Sequence, residues 1–295
     1  MTMAPFVQLL INTVHSGVIF ALVGVSFDLV YRTTKFFHFA HAAVFLCAAY
    51  GTLAFSSIWP QFWIAAVAGI GIGTIANVSM ELSVFARMRR NRASALTLLL
   101  VSLGLYVVVQ NIVSLLFGDG TRVLWTSAVA RGIDLHGGYI TPVQLFAATA
   151  SVVLVCGTHW TLSRSKIGKA LRAVSADSEL AEACGLPIRR VNVAAFAISG
   201  ALAGSVAILV SMDVGLNPNL GLQLLFIGVV VMIMGGVGSV WGALIAGLFL
   251  AAAQNAAVWW LSSAWQDAIT FGLLWTFLLF RPQGIFGRKA PARSA

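Results

Sequence analysis

His38 and His41 stand three residues apart, a spacing that sets two imidazoles on one face of a helix, where they would suit a metal ion. No Glu follows His38 in an H-E-x-x-H pattern, and no third ligand or Cys pair lies nearby in sequence. The better reading is two polar residues that open an apolar span and face a wet cavity. His15, His136 and His159 are scattered singly. Asp28 precedes Arg32 by four residues, a helical pair near the end of a span, and Glu81 lies about one and a half turns before Arg87. A charge at the bilayer centre costs at least ~2.5 kcal/mol. Both acids therefore read as interfacial, the first as a snorkelling pair and the second as a balance to a basic cluster. A proton- or sodium-coupled carrier would place such a carboxylate at the midplane. Nucleotide chemistry is missing: Gly168-Lys169 is followed by Ala170, and Ser163 stands where a phosphate-binding loop needs its first Gly. Cys47, Cys156 and Cys184 are odd in number and lack metal-like spacing, so free thiols are expected.

The elements that must position these residues are membrane helices. Hydrophobic residues make up 59% of the 295 and charged ones 9%, against roughly 25% charged in a soluble domain. Nine apolar stretches are long enough, or nearly so, to cross a core that needs about 20 helical residues. They run approximately 6–31, 36–56, 61–86, 94–117, 141–163, 190–211, 221–235, 239–260 and 265–281. The expected fold is all-α and polytopic, with about 8–10 transmembrane helices in a single membrane domain over 1–295. The isoelectric point of about 10.2 raises nucleic acid, but the basic residues flank apolar spans and form no patch with interleaved aromatics.

Those residues report topology instead. With the N-terminus outside, the cytoplasmic loops hold Arg32 and Lys35; Arg87, Arg89, Arg90 and Arg92; Arg164, Lys166, Lys169, Arg172, Arg189 and Arg190; and Arg281, Arg288, Lys289 and Arg293. That is 16 of the 18 Lys and Arg residues, with Arg122 and Arg131 left outside, so the positive-inside rule sets N-out and C-in. The start has no basic residue ahead of its apolar run, which fits a retained span better than a cleaved signal peptide.

Two spans look broken or re-entrant. The stretch 221–235 is short and runs into GGVGS, and the span that begins HFAHAA is short and polar at its start. Small residues recur four apart in Gly69/Gly73, Gly200/Gly204 and Gly238/Gly242, the spacing of close helix contacts in lipid; packing within one bundle and a subunit or gating interface both remain open.

Residues 163–190 form the one long charged, amphipathic stretch. Ile167, Ala170, Leu171 and Val174 make one apolar helical face with Ser165 as a cap. Ser175-Ala-Asp177 starts a second helix, with Glu179 and Glu182 near its N-terminus and Gly185 and Pro187 as its stop. Two short surface helices are expected, a handle by which a soluble partner could move the membrane part.

Four strings, in order, resemble the Liv-type H permease subunits of branched-chain amino acid ABC importers: VYRTTKFFHFAHAAVF, SKIGKALRAVSADSELAEACGLPIRRV with AFAISGALAGSVAIL, GLNPNLGLQLLFIGVVVMIMGGVGSVWGALIAG, and FRPQGIFG. The chain departs from that family's common Asn at His38, Gly at Ala42, and Pro in the loop that here reads RMRRNRAS. The resemblance implies a bacterial inner-membrane permease that works by alternating access, with a second related permease, two cytoplasmic ATPase subunits carrying ATP and magnesium, and a periplasmic binding protein. No cofactor is expected in this chain. On that resemblance Ala170, Leu171, Val174, Asp177 and Glu182 would contact the ATPase, and His38, His41, Asn217, Gly235, Gly236 and Gly238 would lie along the path or at its gates. Related systems carry urea, short amides and small carboxylates. An ion-coupled carrier and an integral-membrane enzyme are the readings from other classes.

Overall fold

The structure is a computed structural model that describes residues 3–59, 61–124, 132–135, 137–281 and 283–286. Arg131, His136, Arg288, Lys289 and Arg293, used above, lie outside the described residues.

Each of the nine apolar stretches holds a helix. α1 spans Met3–Thr34, α2 His41–Ser56, α3 Phe62–Met80, and a π-helical turn at Glu81–Phe85 carries α3 into α4, Ala86–Arg90. Then come α5 (Ala95–Phe117), a small hairpin of β1 (Ile133–Leu135) and β2 (Gly138–Ile140), and α6 (Pro142–Arg164). The chain ends with α7 (Lys166–Ala176), α8 (Ser178–Ala183), α9 (Ile188–Val214), α10 (Leu220–Gly235), α11 (Val240–Val258) and α12 (Gln266–Phe280). Among the described residues six spans are long and apolar enough to cross a membrane, while α2 and α10 have 16 residues each. At ~1.5 Å per residue those two reach about 24 Å, short of a ~30 Å hydrocarbon core.

The helix ends follow local chemistry. Ser94 caps α5 by accepting from the Thr97 N–H at 3.2 Å, and α6 opens on a reciprocal Thr141–Gln144 capping box with Pro142 in its first turn. Gly215 (φ 84°) closes α9 and Gly236 (φ 92°) closes α10, both in the left-handed region that glycine enters without strain.

α1, α2, α3, α9, α10 and α11 form the centre of the bundle, with α5, α6 and α12 packed outside. Close approach here depends on small residues, because lipid offers helices no hydrophobic drive to associate. Gly200 and Gly204 lie on Thr74 and Ile70 of α3, and Gly69 and Gly73 on Thr52 and Ala48 of α2, so both pairs serve packing within the chain. The Gly238/Gly242 pair is corrected: Gly238 (φ 90°) sits in the turn before α11, and Gly242 meets the Gly235 backbone instead.

The contacts carry a symmetry. α1 packs on α11, α10 and α9; α9 packs on α3, α2 and α1; α2 and α3 pair as α10 and α11 do. Exchanging α1–α2–α3 with α9–α10–α11 turns each contact into another. α1 and α9 run antiparallel, with His15 beside Asp213 at one end and the Ser199 hydroxyl donating to the Ser26 carbonyl further along. The two triplets are thus opposed in direction, as in inverted-repeat transporters.

Candidate functional site

The charged segment folds as a helical hairpin fixed to the bundle. Ser165 ends α6 and caps α7, its hydroxyl accepting from the Gly168 N–H at 2.9 Å. A Cβ on Gly168 would strike the Thr161 and Leu162 carbonyls, and the Arg172 guanidinium donates to the Leu162 carbonyl, so the α6–α7 elbow has no slack. Asp177 caps α8 with bonds of 3.0 Å from the Glu179 and Leu180 N–H groups. Gly185 (φ 85°) closes α8: the Leu186 N–H donates to the Ala181 carbonyl and the Gly185 N–H to that of Glu182.

The apolar face expected at Ala170, Leu171 and Val174 exists, but it points into the protein. Leu171 and Val174 belong to the main core at 0% and 1% exposure, with Ala170 half-buried against it. α7 packs on α6, α9 and α1. The outward face carries Lys169, Asp177, Glu179 and Glu182, with Ile167 and Leu180 as its exposed apolar residues.

A second constellation lies where α1 ends and α2 begins. The histidines do not share a helix, which corrects the spacing argument: Lys35 takes a positive φ (57°), residues 35–40 leave the helix, and α2 starts at His41. Both imidazoles are fully buried, with ring centroids 6.0 Å apart. His38 Nε2 is 3.2 Å from the Asn77 side-chain oxygen, and the Asn77 amide donates to the Phe196 carbonyl at 2.8 Å. His41 Nε2 is 3.1 Å from the Ser26 hydroxyl. The wet cavity expected around them is filled in this conformation by Phe36, Phe85 and Phe196, and His38 packs against all three rings. Two separate sets of buried hydrogen bonds result: His41 ties α2 to Ser26 of α1, and His38 ties the α1–α2 connection to Asn77 of α3 and, through it, to Phe196 of α9.

Asp28 is also buried rather than snorkelling. It pairs with the buried Arg32, and its Oδ1 accepts from the Gly238 N–H at 2.9 Å, tying α1 to the α10–α11 turn. Gly235 is pressed onto Gly242, and residues 283–286 cross beneath: the Ile285 N–H donates to the Met234 carbonyl and the Phe286 N–H to that of Gly235. Glu81 is fully buried in the π turn and pairs with Arg89 of the basic cluster. Asn217 lies in the α9–α10 turn, its side chain accepting from the Asn219 N–H at 2.9 Å. An antiparallel bridge between Arg122 and Leu216 pins that turn.

His15, which stands alone in the sequence, is built into the fold. It joins three elements: Nδ1 is 3.2 Å from the Gln144 carbonyl and Nε2 is 3.1 Å from Asp213 Oδ2. The partners lie 129 and 198 residues away, so no local pattern could have found them.

Comparison with known proteins fits this architecture. A family model described as the permease component of a branched-chain amino acid transport system matches residues 9–278. The high-affinity branched-chain amino acid transport system permease protein BraD of Pseudomonas aeruginosa is 28% identical, with 96% of each chain covered. The corresponding LivH protein of Escherichia coli is 27% identical over the same shares. Among solved structures, PsaBC from Streptococcus pneumoniae in complex with Fab is similar with a TM-score of 0.52 over 96% of this chain and 94% of that one; at 13% identity the likeness is one of fold. With a match that runs from the first turns of α1 to the last turn of α12, the chain belongs to the family of branched-chain amino acid transport permeases.

Proposed function

We propose that this chain is the permease subunit of an ATP-driven importer for branched-chain amino acids or similar small polar solutes, acting as one membrane domain by alternating access. The observation that carries the reading is the α7–α8 hairpin: a polar surface element whose buried side is part of the transmembrane core. Force applied to it reaches α6, α9 and α1 directly. Its exposed side, with Asp177, Glu179, Leu180 and Glu182, faces the ATPase; Ala170, Leu171 and Val174 act from beneath, holding the hairpin to the bundle. The solute passes from a binding protein into the space between this chain and a second permease. His38, His41 and Asn217, with Gly235, Gly236 and Gly238, act at the two ends of that path as gate elements. The hairpin lies in the cytoplasm, with the N-terminus outside, in the bacterial inner membrane.

The test is purification from the native membrane in mild detergent. Co-purification of a second, related permease and an ATPase pair is expected. Recovery of the chain alone, still transporting in liposomes on an ion gradient without ATP, would sink the proposal in favour of a secondary carrier.

A further inference from the structure

At the end of the bundle that holds the N-termini of α1 and α6, a cavity of about 360 Å³ opens between α1, α9, α10, α11 and α12. It lies within one chain and is separate from the coupling hairpin and from the buried histidines. Its lining combines apolar residues, Ile19, Phe20, Leu224 and Ile227, with polar ones, His15, Asp213, Gln223, Gln254 and Asp267. None of the sixteen lining residues is Lys or Arg.

The charged part of the lining is acidic. His15 Nδ1 is 3.2 Å from the Gln144 carbonyl and Nε2 is 3.1 Å from the Asp213 carboxylate. Asp213 and Asp267, the latter exposed in the first turn of α12, face no Lys or Arg in the lining. Among the described residues no group of three His, Cys, Asp or Glu side chains is arranged to hold a metal ion, and the apolar residues of the lining offer one no ligand. An organic cation suits both parts of the lining.

We propose that this cavity binds a small molecule with a primary ammonium group on an aliphatic chain. The ammonium donates to Asp267 and to the side-chain carbonyl of Gln223, while the chain lies against Ile19, Phe20, Leu224 and Ile227. The volume falls within the range of small-ligand sites and leaves room for a five-carbon amine. The inference goes beyond the transport reading, because it places an ammonium site inside a single permease chain.

Calorimetry on the intact permease-containing complex in nanodiscs, with no binding protein and no nucleotide, tests it. Isopentylamine should bind saturably and isovalerate, the same chain with an anionic head, should not. Asp267→Asn should weaken isopentylamine at least tenfold without shifting the melting temperature, since the side chain is exposed. Equal binding of amine and carboxylate, no saturable binding of the amine, or unchanged binding by the Asn variant would each overturn the site. None of those results touches the importer reading, which depends on co-purification and transport.

Discussion

Leu171 and Leu180 sit nine positions apart in one charged segment and have opposite tasks, which only tertiary packing reveals. Leu171 is enclosed by the core and Leu180 is 63% exposed. Leu171→Asp would bury a carboxylate among apolar groups, at a cost of several kcal/mol, so it should deplete the chain from the membrane fraction and says nothing about docking. Leu180→Asp should leave the melting temperature unchanged and lower ATPase stimulation at least tenfold; full stimulation in that variant would remove the hairpin's exposed face from the coupling contact. Asp28 offers a second test. Removing one member of a buried ion pair costs ~3–5 kcal/mol, and Asp28→Ala also strips the Gly238 N–H of its acceptor. Asp28→Asn keeps that acceptor and should recover part of the loss in thermal unfolding. At this scale the sequence spoke plainly where partners were local: the Asp28–Arg32 pair, the Ser165 cap and the Asp177 cap. It was silent on burial, and so took Asp28 for a snorkelling residue and Leu171 for a surface one.

Between elements, distance along the chain decided what could be read. The shortness of α10 is plain in its apolar run length, that of α2 in the polar residues that open its run, and the position of the α7–α8 hairpin in the charged stretch. The π turn at Glu81–Phe85 is not, because one extra residue in a helical turn leaves the hydrophobic pattern almost intact. Glycines that pack look no different from glycines that do not. A Cβ on Gly235 would come within 2.6 Å of the Ala243 nitrogen, whereas one on Gly71 meets nothing within 4 Å. Gly235→Ala should therefore destabilise by about 1–3 kcal/mol or more as an overpacked contact. Gly71→Ala should be neutral or gain up to ~1 kcal/mol of helix stability. Equal melting temperatures for the two would show that the α10–α11 contact is looser than described.

For the molecule as a whole, the spans were countable from the sequence, but the opposed triplets were not, since their similarity lies in which helices touch and not in which residues repeat. Orientation follows from the basic clusters and is open to direct test. In a variant with Cys47, Cys156 and Cys184 replaced by Ser, a membrane-impermeant maleimide should label Val123→Cys in intact cells and Leu180→Cys only after permeabilisation; both positions are exposed. The reverse pattern would invert the topology.

The opposed triplets also bear on how little a partner must supply. At one end of the bundle a cavity separates the helices, while at the other the equivalent space is closed by Phe36, Phe85 and Phe196. If the triplets traded conformations, every contact among their six helices would find a counterpart, and the closed and open ends would change places. The gap between the two conformers would rest on what breaks the equivalence: α2 and α3 pair more extensively than α10 and α11, and three phenylalanines and the Asp28–Arg32 latch stand against a lining with three glutamines. Each 1.4 kcal/mol of preference for one conformer moves the ratio of their populations tenfold. A subunit gripping one surface hairpin could then tip the whole bundle.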